Sequence, residues 1–247
     1  MKSNLRHNQT ELISEIKIGT EGGQYFKNNN SNMRWRLAQY FEKKWWNNYL
    51  RKKSPPEYLK WKKNYWKELL EKVQLIDKGK NLTDSCSVLD AGCGPAGIFM
   101  ALENYKVTAS DPLLKEYRLH HNFFDQSNYR YVTFLEKRIE DFEFENIFDV
   151  VFCMNVINHV YEYNLALDKL IHSLKPKGLI VLTIDAHNFS FFRFLFRMIP
   201  GDILHPHQFN LKEYSSHLTA RGIRILKIEK LKKEFFFDHY LIVGEKK

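Results

Sequence analysis

The stretch Val88-Leu89-Asp90-Ala91-Gly92-Cys93-Gly94-Pro95-Ala96-Gly97 constrains this chain more than any other. A short apolar run, glycines in the pattern G-x-G-x-x-G and a second apolar segment predict a buried strand, a tight loop and a helix. Such a unit opens a parallel sheet and aims helix N-terminal amides at a ligand. Asp90 stands two residues before the first glycine. A pyrophosphate brings anionic charge to this turn, so a carboxylate is a repulsive neighbour there. The glycines alone fit a dinucleotide. The acid beside them fits a ligand that carries a cation.

The rest of the chain repeats the alternation. Residues 86–92, 106–111, 131–138, 147–155 and 179–185 read as strands, and 97–105, 112–121, 165–174 and 211–222 as helices. Lys175-Pro176-Lys177-Gly178 ends one of the helices. Two further strands lie within 223–247, too close together for a helix, so they pair antiparallel. The fold expected is α/β: a Rossmann-like, seven-stranded, mostly parallel sheet with its last strand antiparallel and helices on both faces. Helices precede it. Ala38, Phe41, Trp45 and Tyr49 give a helical period over 33–52. Ser54-Pro55-Pro56-Glu57 reads as a capping box that starts a second helix, with Leu59, Trp66, Leu69, Leu70, Val73 and Ile76 on its apolar face.

Charge divides the chain near residue 80. Residues 1–80 hold 18 Lys and Arg against 8 Asp and Glu, a net of +10, and all five tryptophans; the remainder, with 20 against 21, nets −1. The expected organisation is a basic, Trp-rich helical cap over 1–80 and a ligand-binding domain over 81–247 with an insertion at 186–210. Cys86, Cys93 and Cys153 have no C-x-x-C spacing, which argues for a reducing compartment and against a zinc site. The N-terminus lacks the apolar region of a secretory signal and no run of 18 apolar residues occurs, so a cytoplasmic location is expected.

Taken in order, Val88–Gly97, Asp111-Pro112-Leu113, Ile139-Glu140-Asp141, Phe148–Asn155 and Leu174–Gly178 resemble the motifs of class I S-adenosylmethionine (SAM)-dependent methyltransferases, in particular the type 11 small-molecule group. The resemblance covers residues 85–247. It implies SAM as methyl donor and S-adenosylhomocysteine as product. It further implies that Asp90, Gly92, Cys93 and Gly94 hold the methionine portion and Asp111, with Pro112 beside it, grips the ribose. Ile139 and Glu140 would read the adenine, and Met154 and Asn155 would close on the ammonium. Arg138 stands where many members of the family carry an acid facing the adenine amine.

Methyl transfer needs an aligned nucleophile and, where the nucleophile carries a proton, a base. His159 follows strand four, Asp185 ends strand five, and His205 and His207 come after it, where this fold seats an acceptor; these four are the candidates. Asp185, His187 and His205 offer metal-ligand types, but no metal is expected in a fold that usually works without one. Within the insertion, residues 189–199 carry eight apolar side chains, among them Phe189, Phe191, Phe192, Phe194 and Phe196, which suits a lid over an apolar or aromatic small-molecule acceptor. A homodimer or membrane contact is an alternative use of that segment. The basic N-terminal segment is the argument for RNA or protein as substrate. Against nucleic acid, Asn155-Val156-Ile157-Asn158 is not the N/D-P-P-Y/F set used on base amino groups.

Overall fold

A computed structural model describes residues 54–120, 124–187, 209–233 and 237–247. The expected helix over 33–52, with Trp35, Trp45 and Trp46, lies outside the described residues. So do His205, His207 and all but the ends of the 186–210 insertion.

Seven strands form one sheet: β1 Ser87–Ala91, β2 Lys106–Ser110, β3 Val132–Leu135, β4 Phe148–Met154, β5 Leu174–His187, β6 Ile223–Lys233 and β7 Phe237–Lys246. Their order is β3-β2-β1-β4-β5-β7-β6. The first five are parallel, and β7 runs antiparallel to both β5 and β6. The order reverses between β1 and β4, and the crevice at the strand C-termini beside that reversal is where an open sheet binds ligands. β5 is longer than its apolar run because Leu174 already pairs with Phe148, with a register shift before Val150 meets Leu179.

The described α-helices are α1 Pro55–Asp77, α2 Leu114–His120, α3 Tyr163–Ser173 and α4 Leu211–Ala220. Side-chain alternation splits the core into two layers. Val88, Val150, Phe152, Val181, Leu241 and Val243 pack under α1, while Leu89, Val151, Ile180, Leu182 and Ile242 pack under α3 and α4.

Two local expectations fail. Ser54 does precede α1, but its side chain makes no capping bond. Pro55 and Pro56 have no N–H to offer, so the first turn has fewer orphan donors for a cap to serve. The segment after the glycines is not an α-helix but two 3₁₀ turns, Gly94–Ala96 and Ile98–Ala101. Only 14 residues link β1 to β2, and they must return the full length of a five-residue strand. A 3₁₀ turn rises about 2.0 Å per residue against about 1.5 Å for an α-helix, so it covers the distance in fewer residues.

α1 is fixed to this crossover. Trp66 is buried, and its indole N–H donates to the Ala96 carbonyl at 2.8 Å. Trp66→Phe keeps the ring's burial and leaves that carbonyl unpaired. It should destabilise the protein by about 1–3 kcal/mol in urea unfolding. An unchanged midpoint would show that α1 is held elsewhere.

Candidate active site

The glycine loop is fixed from two sides. Gly92 and Cys93 donate backbone N–H bonds to the Ser110 carbonyl at 2.7 and 3.0 Å. Gly94 N–H donates to Asp111 Oδ2 at 3.0 Å, and Leu113 N–H to Asp111 Oδ1 at 2.8 Å. Asp111, at the end of β2, is therefore a clamp on the loop, and each of its oxygens keeps a second lone pair for a ligand hydroxyl. Gly92 has φ +74°, and a Cβ there would run into the Val156 side chain. A Cβ at Gly97 would strike the Asp90 carboxylate and the Cys93 carbonyl.

Asp90 is 1% exposed. Its Oδ2 accepts the Phe99 N–H at 3.0 Å, and the Ile98 backbone also bonds to the carboxylate. Those are the N-terminal amides that a pyrophosphate would otherwise use. Burial pushes the Asp90 carboxyl up from 3.8 to about 7, with nearby Asp111 adding to the rise. Burial likewise raises the Asp111 carboxyl. The two acids border the glycine loop along one edge, and a cation placed beside them would favour their ionised forms.

One turn of α1 faces this edge. The Lys62 ammonium lies 4.3 Å from the Trp66 ring centroid and 5.1 Å from that of Tyr65. Burial lowers it to about 8, opposed by the charge of Asp90. Tyr65 is raised by burial and by the charge of Asp185. Lys62 and Tyr65, three positions apart, share a helix face, so α1 spans the gap between Asp90 and Asp185.

Met154 ends β4 and is buried, while Asn155 is exposed with φ +58°, a conformation that asparagine tolerates better than most residues. Asn155 N–H donates to the Thr183 carbonyl at 2.9 Å. Pro112 follows the Asp111 clamp, and Cys93 is buried within the loop. Glu140 is also buried, but its Oε1 accepts the Tyr161 and Glu162 N–H groups at 2.8 and 3.2 Å. It ties the 139–141 turn to the start of α3. Arg138 forms a two-pronged pair with Asp141 at 2.8 Å.

His159 is half-buried after β4, with Nε2 3.4 Å from Asn158 Nδ2. Asp185 pairs with His239 of β7, Oδ1 to Nδ1 at 2.7 Å. His239, Lys62 and Tyr65 were missed by sequence reasoning. His239 could have been found only from the β5–β7 register, which sets it opposite Asp185. Among the described residues no group of three or more His, Cys, Asp or Glu is placed to hold a metal. None of the described helices is long and apolar enough to cross a membrane.

Residues 89–182 match a family model described as a methyltransferase domain. In that stretch the chain is similar to the methyltransferase domains of the type 11 group. The ubiquinone biosynthesis O-methyltransferase of Rickettsia prowazekii (strain Madrid E) is 29% identical over 113 residues, 45% of this chain and 44% of that protein. The chain thus aligns with less than half the length of this relative. Among solved structures, the YcgJ protein from Bacillus subtilis superposes with a TM-score of 0.56 at 16% identity, over 70% of this chain and 96% of that one. The 1,6-didemethyltoxoflavin-N1-methyltransferase of Burkholderia thailandensis, solved with 1,6-didemethyltoxoflavin and S-adenosylhomocysteine, gives 0.56 at 13% identity, over 94% and 93%. These likenesses establish the fold.

The raised Asp90 carboxyl carries a prediction for the ligand-free protein. The folded state holds this proton more tightly than the unfolded chain, so stability falls as pH rises from about 4 through 7. Asp90→Asn keeps an oxygen for the Phe99 N–H and removes the charge. It should raise the unfolding free energy at pH 8 by on the order of 2–4 kcal/mol, with the difference vanishing toward pH 4. A variant no more stable than the parent at pH 8 would contradict the burial account.

Proposed function

We propose that the chain binds SAM and transfers its methyl group to an oxygen or nitrogen, or alternatively a carbon, of an apolar or aromatic small molecule. The observation that carries this reading is the Asp90 carboxylate on the Phe99 amide. It takes the anion-binding position of the loop and leaves a buried acid that favours a cation. SAM fits these residues. It has an ammonium and a sulfonium, no phosphate, and a ribose whose hydroxyls suit the free lone pairs of Asp111. When bound it supplies a methyl carbon open to in-line attack.

In this reading Gly92 and Gly94 let the backbone approach the methionine portion, with Cys93 between them. The Ile139 backbone and Glu140 border the adenine, and Met154 and Asn155 border the ammonium. The domain division is part of the proposal: residues 1–80 form a cap of which α1 is the described part. The O-methyltransferase name of the Rickettsia relative supports oxygen as the accepting atom. Methylation of RNA or protein is the second reading, favoured by the +10 charge of residues 1–80 and the aromatics that segment carries.

Calorimetry with S-adenosylhomocysteine tests the assignment, and no binding would defeat it. Asp111→Ala should weaken binding by about 1.5–3 kcal/mol, the worth of hydrogen bonds to a charged group. An unchanged affinity would place the ribose elsewhere. Binding to a mixed-sequence RNA at physiological salt should be weak, and a tight complex that collapses with added salt would favour the second reading.

A further inference from the structure

We propose that His239 is the catalytic base for methyl transfer, held in its working tautomer by Asp185; this rests on the SAM-dependent reading above. The two side chains meet at 2.7 Å, Nδ1 to Oδ1. An ionised carboxylate only accepts, so Nδ1 carries the hydrogen and Nε2 keeps its lone pair. Among the described residues nothing bonds to Nε2. The pair is partly open, with side chains 21% and 28% exposed, whereas Asp90 is sealed at 1%.

The register puts this pair beside the SAM site. Asp185 and His239 face each other across β5 and β7. Each is an even number of residues from Val181 and Leu241 respectively, which lie in the layer under α1. Asp90 and Met154 share that face by the same count from Val88 and Val150. Thr183 pairs with Met154 at the end of β4, and Asp185 lies two residues further on, about 7 Å beyond that rung. The sulfonium end of a ligand held between Asp90 and Asn155 therefore has His239 ahead of it on the same face. Tyr65 of α1 is close enough to feel the Asp185 charge.

The step balances without another reagent. The proton of an acceptor O–H passes to His239 Nε2 as an oxygen lone pair forms the new bond to the methyl carbon. The electron pair of the breaking C–S bond remains on sulfur, converting the sulfonium to a neutral thioether. Asp185 offsets the charge of the imidazolium, which then returns its proton to water.

Nuclear magnetic resonance on the full chain with labelled histidines tests this directly, His239→Gln assigning the ring signals. SAM and S-adenosylhomocysteine differ by one methyl group and its charge. The His239 ring signals should differ between the two complexes, while those of His172, 70% exposed and beside the starts of β4 and β5 at the opposite end of the sheet, should coincide. Identical His239 signals in both complexes would overturn the proposal. In Asp185→Asn the nitrogen shifts should show the ring proton moved from Nδ1 to Nε2, and an unmoved proton would remove Asp185 as the orienting group. His239→Gln should bind S-adenosylhomocysteine within about twofold of the parent; a lost affinity would make His239 a part of SAM binding instead. With catechol as the probe acceptor, the same variant should lose about a hundredfold or more in kcat with KM for SAM unchanged; equal turnover would exclude a base role. Failure of the parent chain to bind SAM would refute the underlying reading, a result distinct from all of these.

Discussion

The bond from the Phe99 amide to the Asp90 carboxylate organises the site. It joins the end of β1 to the second 3₁₀ turn of the crossover and requires glycine at 97, where any Cβ would displace the carboxylate. The proposed choice of ligand rests on it as well. A glycine loop with open amides is an anion site, whereas here an acid already occupies them. The cost is a buried carboxyl that stays largely protonated below neutrality. The group proposed to receive a cation also makes the ligand-free protein less stable above neutrality.

The sheet order turns this local choice into an arrangement of chemistry. Asp111, Asp90, Asn155, Asp185 and His239 stand at the same edge, in the order of strands β2, β1, β4, β5 and β7. The Asp111 clamp, the buried Asp90 and the Asp185–His239 pair thus follow one another along the strand ends. α1 closes it from one face, tied by Trp66 to the loop and carrying Lys62 toward Asp90 and Tyr65 toward Asp185.

Much of this was legible in the sequence. The buried strands are unbroken apolar runs, so Val88–Ala91 and Phe148–Met154 declare themselves, and the missing connector before β7 fixes the antiparallel pair. The 97–105 segment misled because its composition suits a helix, while the length of the crossover decides its pitch. Glu140 sits where the motif puts it, yet its bonds run to the start of α3, a contact between segments 21 residues apart. His239 was invisible for a similar reason. A histidine in an apolar terminal strand has no local signal, and only the register across 54 residues reveals its partner.

The central claim is that a buried acid at the end of β1 receives the positive charge of the ligand. Calorimetry of S-adenosylhomocysteine binding between pH 6 and 8 tests it most directly. Because the Asp90 carboxyl must ionise, from about 7 in the free protein, affinity should rise by about tenfold across that range, with proton release on the acid side. Affinity that stays flat or falls would contradict the account, as would a nicotinamide or flavin dinucleotide that binds in place of the thioether.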